Sequence, residues 1–349
     1  MFQLTSGYLL ITVAASFLLL NIFVIVKWQK IRHIAARVVA MLLINVLGLI
    51  CAGLYLNNTN GLYNSWSELF GIQNTTSENI KPTEINLNHA KITPNGSAIV
   101  EKIFTGPNSK ITSSVWYLIP KGIVQAIRTH TTQKFPVAYF LSGAPGVPTA
   151  WLHGLDLDNQ MKAVKDFANL PDFIAVLPEI NVVPGRDTEC LNVPGVANVE
   201  DWLVKDVRDY TIKNLPAQSN NWMITGYSTG GWCSAMLALK HPETFKGAAP
   251  IAGFFKTEIW IGLNSKTREA LRNKYDLIKI AHESKKQTDF YLITSKMDKS
   301  TFDSTNWFYN NIGAGHNVDL LTLKDGGHNF TTWKPLVQDI LKWFIGEFK

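Results

Sequence analysis

Ser228 lies in Gly226-Tyr227-Ser228-Thr229-Gly230-Gly231, after the apolar run Trp222-Met223-Ile224 and before a helix-like stretch beginning near Trp232. A strand, a tight glycine-flanked turn and a helix in that order hold a serine hydroxyl out of the backbone for attack, the arrangement of nucleophilic acyl transfer. A phosphate-cradling role for the same glycines is disfavoured, because no Gly-Lys-Ser or Gly-Lys-Thr follows them.

A hydroxyl is a weak nucleophile until a base takes its proton, and that base needs an acid to hold its tautomer. His328, in Lys324-Asp325-Gly326-Gly327-His328-Asn329-Phe330, is the candidate base. It follows an apolar run over 318–323, and two glycines allow the sharp turn that brings an imidazole over a sheet edge. Asp298, in Ile293-Thr294-Ser295-Lys296-Met297-Asp298, is the candidate acid, since it follows a strand end and keeps the chain order nucleophile, acid, base. Asp303 is its rival, and Asp325 reads as a turn carboxylate beside Gly326.

A tetrahedral intermediate needs two donors aimed at its oxyanion. One is expected from the backbone N–H of Thr229, the other from Ser142 or Gly143 in Leu141-Ser142-Gly143-Ala144-Pro145-Gly146. None of the eight histidines pairs with carboxylates at a zinc-binding spacing, so the chemistry calls for no metal and no cofactor.

These groups need a sheet to carry them. Residues 98–104 and 113–119 flank Gly106-Pro107-Asn108-Ser109 and read as an antiparallel pair. Short strands follow at 137–141, 174–177, 222–225, 247–251, 290–293 and 318–323, with helices between them at 157–168, 199–214, 232–240, 267–282, 306–314 and 332–348. The central strands are apolar throughout, as in a mostly parallel sheet covered on both faces, so the fold class is α/β with active residues at the carboxyl ends of strands.

Upstream lies a different kind of sequence. Residues 8–26 and 38–56 are almost wholly apolar; at about 1.5 Å per residue each reaches roughly 28 Å, close to the hydrocarbon thickness of a bilayer. Lys27, Lys30, Arg32 and Arg37 crowd the connection and supply +4 of the formal +6, leaving +2 for everything else. That balance argues against nucleic acid as a partner. By the positive-inside bias the connection is cytoplasmic and the large C-terminal domain extracytoplasmic, and Asn21 and Asn45 could pair across the two helices. A cleaved signal peptide fits less well, because residues 1–7 carry no Lys or Arg. Residues 1–56 therefore read as a two-span membrane anchor, 57–95 as an Asn/Thr/Ser-rich tether with an apolar patch at 62–70, and 96–349 as the catalytic domain.

Cys51 falls inside the second span. Cys190 and Cys233 stand in the large domain, Cys233 just past the serine turn; they either form a disulfide tying a loop to the nucleophile helix or are two unrelated buried thiols. Asp187 and Glu189 either bind a polar head group or pair with Arg186 or Arg208, the second being the commoner arrangement. Trp151, Trp232, Phe254, Phe255, Trp260 and Trp307 either line an acyl groove or belong to the core.

The serine turn, the 141–146 loop and the Gly327-His328 ending together resemble the esterase family of α/β-hydrolases that includes bacterial secreted esterases, formylglutathione hydrolases and actinobacterial mycolyltransferases. The likeness covers roughly residues 98–347, and Asp187-Thr188-Glu189-Cys190 followed by residues 199–207 is similar to a membrane-anchored actinobacterial branch. The resemblance implies an α/β-hydrolase fold without a large lid and with Ser228, Asp298 and His328 in the triad positions. The expected substrate is an acyl ester cleaved by water, with a lipid or glycolipid suited to the aromatic residues above if they line a groove close to the membrane. Transfer of the acyl group to an envelope alcohol, and a catalytically silent binding protein on the same fold, are the competing readings.

Overall fold

Val137, Tyr139 and Leu141 point into one apolar core while Ala138 and Phe140 point into a second, and Ile174 and Val176 alternate with Ala175 and Leu177 in the same way. A strand with apolar residues on both faces must be covered on both, which is why these runs show no polar alternation. The computed structural model describes residues 7–60, 66–69, 83–259 and 262–348. It divides into two compact units, residues 1–73 and 74–349.

The larger unit is built on nine strands in one sheet. They are β1 (Lys91–Ile92), β2 (Ala98–Thr105), β3 (Thr112–Ile119), β4 (Val137–Leu141), β5 (Ile174–Pro178), β8 (Trp222–Tyr227), β9 (Phe245–Ile251), β10 (Asp289–Ser295) and β11 (Asn317–Leu323). A separate small hairpin forms β6 (Asn192–Val193) and β7 (Ala197–Asn198). The sheet order is β1-β2-β3-β5-β4-β8-β9-β10-β11. β1, β2 and β3 pair antiparallel, β3 joins β5 antiparallel, and the six strands from β5 to β11 run parallel.

Helices Leu157–Ala168 and Leu336–Glu347 cover one face, and Thr229–Lys240 with the segment at 199–214 covers the other. The expected helix over 199–214 contains a π-helical stretch, Trp202–Val207. The expected helix over 267–282 is two, Ser265–Lys274 and Leu277–Glu283, because the Asp276 side chain accepts the Ile278 and Lys279 N–H groups and starts a second helix. The helix expected at 306–314 begins at Lys299, and Lys121–Arg128 forms a further helix between β3 and β4.

The tether is shorter than expected. Residues 83–95 belong to the larger unit: β1 pairs with β2, the Glu84 carbonyl accepts from Lys102 Nζ at 2.7 Å, and the Thr83 carbonyl accepts from the Tyr210 hydroxyl. Most of the remaining tether, including much of the 62–70 patch, lies outside the described residues.

In the smaller unit, helices Gly7–Lys27 and Ile34–Asn60 are long and apolar enough to cross a membrane by length and composition. Gly48 packs close to Phe17, where an added Cβ would lie 3.2 Å from the ring. Arg37 folds over Trp28, 4.9 Å from its ring centroid, and donates to the Ile31 and Trp28 carbonyls. Asn21 and Asn45 do not bond to each other: each side-chain amide donates to its own helix, at Phe17 and Met41, which satisfies it locally.

Candidate active site

The turn after β8 holds Ser228 at φ 57° and ψ −123°, a left-handed conformation unusual for a residue with a side chain. Such a residue costs about 1–3 kcal/mol and needs its surroundings to hold it. The Ser228 N–H donates to the Ile251 carbonyl at the end of β9, and its carbonyl accepts from Trp232 as the helix starts. The glycines on either side are required by contact. A Cβ on Gly226 would lie 2.3 Å from the Gly230 carbonyl oxygen, and one on Gly230 would lie 2.4 Å from that of Ser142.

β10 and β11 deliver the candidate acid and the candidate base. Asp298 follows the end of β10, and His328 follows the turn after β11; His328 Nδ1 is 2.6 Å from Asp298 Oδ2. Burial works to raise the Asp298 carboxyl, but its bonds with His328 and Thr301 outweigh that and hold it below the usual carboxylate range. The acid is therefore ionised and the Nδ1 position is the donor to it, which leaves Nε2 free to accept a proton. Side-chain exposure is 38% for His328 against 12% for Asp298, so the base faces the open side of the pair. Asp303 is exposed on the following helix and forms no ion pair among the described residues.

Ser295, Gly326 and Trp333 fix this corner. Ser295, the last residue of β10, donates from Oγ to the Gly326 carbonyl and accepts the Met297 N–H, so one hydroxyl ties the acid turn to the base turn. Gly326 has φ 114°, and a Cβ there would strike Thr332 at 2.6 Å. Trp333 stands edge-on to the His328 ring at 4.7 Å and stacks on Tyr227 at 5.0 Å, which links the base to the residue next to the nucleophile. Among the described residues, no hydrogen bond joins Ser228 Oγ to His328.

The 141–146 loop runs against the nucleophile. A Cβ on Gly143 would lie 3.1 Å from Ser228 Cβ, so that loop's backbone is beside the serine. Asn181 Nδ2 donates to the carbonyls of both Gly143 and Gly146, at 2.9 and 2.8 Å, and sets the loop's curvature. Ser142 is buried and its hydroxyl has no partner among the described residues. Thr229 is the first residue of the helix Thr229–Lys240, where backbone N–H groups lack intrahelical acceptors.

Several expected groove residues are elsewhere. Trp151 and Trp232 are completely buried and donate their indole N–H groups to the Leu141 and Glu189 carbonyls; both are core residues that brace the site's backbone from behind. Phe255 is buried as well, stacked on Phe308. Phe254 is half-buried on Trp232 and Trp307 is half-buried under Lys256, while Trp260 lies outside the described residues. Cys190 and Cys233 are joined as a disulfide. Among the described residues, Asp187 and Glu189 pair with no arginine: Arg208 lies against Asp209, whereas Asp187 accepts from the Thr229 hydroxyl and Glu189 accepts from the backbone N–H groups of Glu258 and Ile259. Loop 187–190 is turned inward, so arginines at the surface do not reach it.

A family model described as the prolyl oligopeptidase family matches residues 193–349, a stretch that contains Ser228, Asp298 and His328. No curated protein matches the chain. Among solved structures, the chain is similar to an S-formylglutathione hydrolase from Agrobacterium tumefaciens, with a TM-score of 0.61 and 15% identity over 77% of this chain and 100% of that one. It is similar to a ferulic acid esterase, with a TM-score of 0.60 and 17% identity over 72% of this chain and 99% of that one. An acylaminoacyl peptidase from Pyrococcus horikoshii gives a TM-score of 0.52 and 16% identity over 75% of this chain and 43% of that one. The shared architecture is the α/β-hydrolase fold.

Proposed function

We propose that this serine hydrolase of the α/β-hydrolase superfamily cleaves carboxylic esters through an acyl-enzyme, on lipid or cell-envelope acyl groups presented at a membrane surface. The observation that carries the reading is the 2.6 Å bond between His328 and Asp298, set beyond the carboxyl ends of adjacent parallel strands, the same edge of the sheet from which the strained Ser228 turn leaves β8.

The steps follow from the positions. With an ester carbonyl over the turn, His328 Nε2 takes the Ser228 proton as Oγ attacks, and ionised Asp298 steadies the imidazolium. The N–H groups of Thr229 and of Ser142 or Gly143 stabilise the oxyanion, each such donor being worth about 3–4 kcal/mol. The alcohol leaves with the proton from His328, and water, activated by the same base, releases the acid. The membrane setting is supported by the apolar faces of helices Gly7–Lys27 and Ile34–Asn60, which leave Leu18, Leu19, Ile22 and Phe23 exposed in the protein itself. The four basic residues at 27–37, at and between the facing ends of those helices, support a cytoplasmic connection and a catalytic unit on the far side.

The test is labelling of the full chain by a fluorophosphonate, with Ser228→Ala as control, followed by mass analysis of the acyl group trapped on Ser228 in native membranes. A Ser228-dependent adduct carrying a fatty or envelope acyl group is expected. Absence of any adduct would point instead to a silent binding protein, and acyl transfer to an added alcohol in preference to water would point to a transferase.

A further inference from the structure

Loop 187–190 is fastened to one face of the nucleophile helix at three places. Asp187 Oδ2 accepts from Thr229 Oγ1 at 2.7 Å, the Glu189 carbonyl accepts from Trp232 Nε1 at 2.9 Å, and Cys190 is bonded to Cys233. Residues 229, 232 and 233 are three and four apart, so they share a helix face and the loop lies along it. Within the loop, Glu189 and Cys190 both have positive φ, 52° and 57°. Two successive side-chain-bearing residues in that region are costly and persist only where other bonds hold them.

The tether ends at a mechanistically sensitive residue. Thr229 is buried, and its hydroxyl and its backbone N–H share one Cα, so fixing the first limits rotation of the second. Oxyanion stabilisation depends on donors already aimed before charge develops, because a donor that must reorient loses much of its value. Asp187 is itself fixed at its other oxygen, Oδ1, by the Glu189 N–H at 2.8 Å. It forms no ion pair among the described residues, so the Thr229 hydroxyl is the group its outward oxygen serves.

Resting on the acyl-enzyme reading above, we propose that Asp187 is the positioning residue for the Thr229 oxyanion donor, with the Cys190–Cys233 bond holding Asp187 in place. Asp187 touches neither the reacting atoms nor the base. Its effect is on the rate of acylation and not on ground-state binding.

The experiment is ester-hydrolysis kinetics on the full chain for Asp187→Ala, Thr229→Val, their double variant, Asp187→Asn, and the paired Cys190→Ser and Cys233→Ser. Each of the first two is expected to lower kcat about ten- to a hundredfold with KM within about twofold. The double variant should be no slower than the slower single, and Asp187→Asn, which keeps one acceptor oxygen for the Thr229 hydroxyl but loses the second one that holds the Glu189 N–H, should recover part of the rate. The cysteine pair should reproduce the kcat loss and add little to Thr229→Val. Unchanged kcat in Asp187→Ala, a loss confined to KM, or multiplicative losses in the double variant would overturn the proposal. Should Asp187→Ala not fold, Thr229→Val against Thr229→Ser decides it, with the serine expected to keep the rate and equal rates overturning it. A wild-type chain without Ser228-dependent turnover would overturn the reading of the site itself, a result distinct from any of these.

Discussion

Asp298 and His328 are thirty residues apart in sequence and 2.6 Å apart in space, because β10 and β11 run parallel in register from Asp289 opposite Asn317 to Ser295 opposite Leu323. The acid and the base thus leave neighbouring strands at the same level.

Replacing Asp298 with Asn should lower kcat by about 10⁴-fold while leaving the fold intact, since the imidazole loses the carboxylate that sets its tautomer. Asp303→Asn, on the exposed side of the following helix, should stay within about twofold of wild type. Steady-state ester kinetics on both variants checks the assignment, and the reverse ranking would transfer the role to Asp303.

Ser295→Ala removes the hydroxyl shared by the two turns. A loss of kcat of about tenfold is expected, with KM little changed, because the base turn loosens relative to the acid turn. An unaltered kcat would show that strand pairing alone fixes the pair.

Gly230→Ala places a methyl 2.4 Å from the Ser142 carbonyl oxygen and 2.5 Å from that of Leu141. Both contacts are backbone, so the helix start must move away from β4, and fluorophosphonate labelling should fall at least about a hundredfold. Retained labelling would mean that the turn tolerates that displacement.

Burial, with the negative charges of Asp187 and Glu258 nearby, pushes the Glu189 carboxyl up to about 7 against the pull of the Ile259 and Glu258 N–H groups. The folded state then holds a proton between pH 4.5 and about 7 that the unfolded chain releases, so stability falls as pH rises through that window and levels off above it. The contribution is about 3 kcal/mol in all. Thermal melting from pH 5 to 8 should show this decline in the wild type and a shallower one in Glu189→Gln; parallel curves would count against it.

A single cysteine introduced at Gln29, in the basic connection, should react with an impermeant maleimide in inverted membrane vesicles and be protected in right-side-out ones. The opposite pattern would reverse the orientation drawn from the four basic residues at 27–37.

The strand-end turns that carry Ser228, Asp298 and His328 were legible because each coincides with glycines or with chain order. The eight longer strands were legible within one or two residues, as for Val137–Leu141, since short apolar runs between turn signals have few other ways to be buried, whereas the two-residue β1, β6 and β7 carry no such run. The direction of the large aromatics was not. Trp151 and Trp232 satisfy their indoles on backbone carbonyls inside the fold, and residue type carries no information about which side of a helix faces a ligand. The contacts of Asp187 with Thr229, and of Asn181 with Gly143 and Gly146, were equally hidden, because each joins segments 35 to 42 residues apart that only the tertiary fold brings together. The break between helices at Asp276 did leave a signal, an aspartate followed by a fresh apolar pattern.

The covalent bond between Cys190 and Cys233 also orders events in the life of the chain. Thiols stay reduced in most cytosols, and cross-links of this kind close in oxidising compartments. On the proposed reading, with the large unit on the far side of the bilayer, loop 187–190 would be latched to the helix Thr229–Lys240 only after that unit had left the reducing compartment.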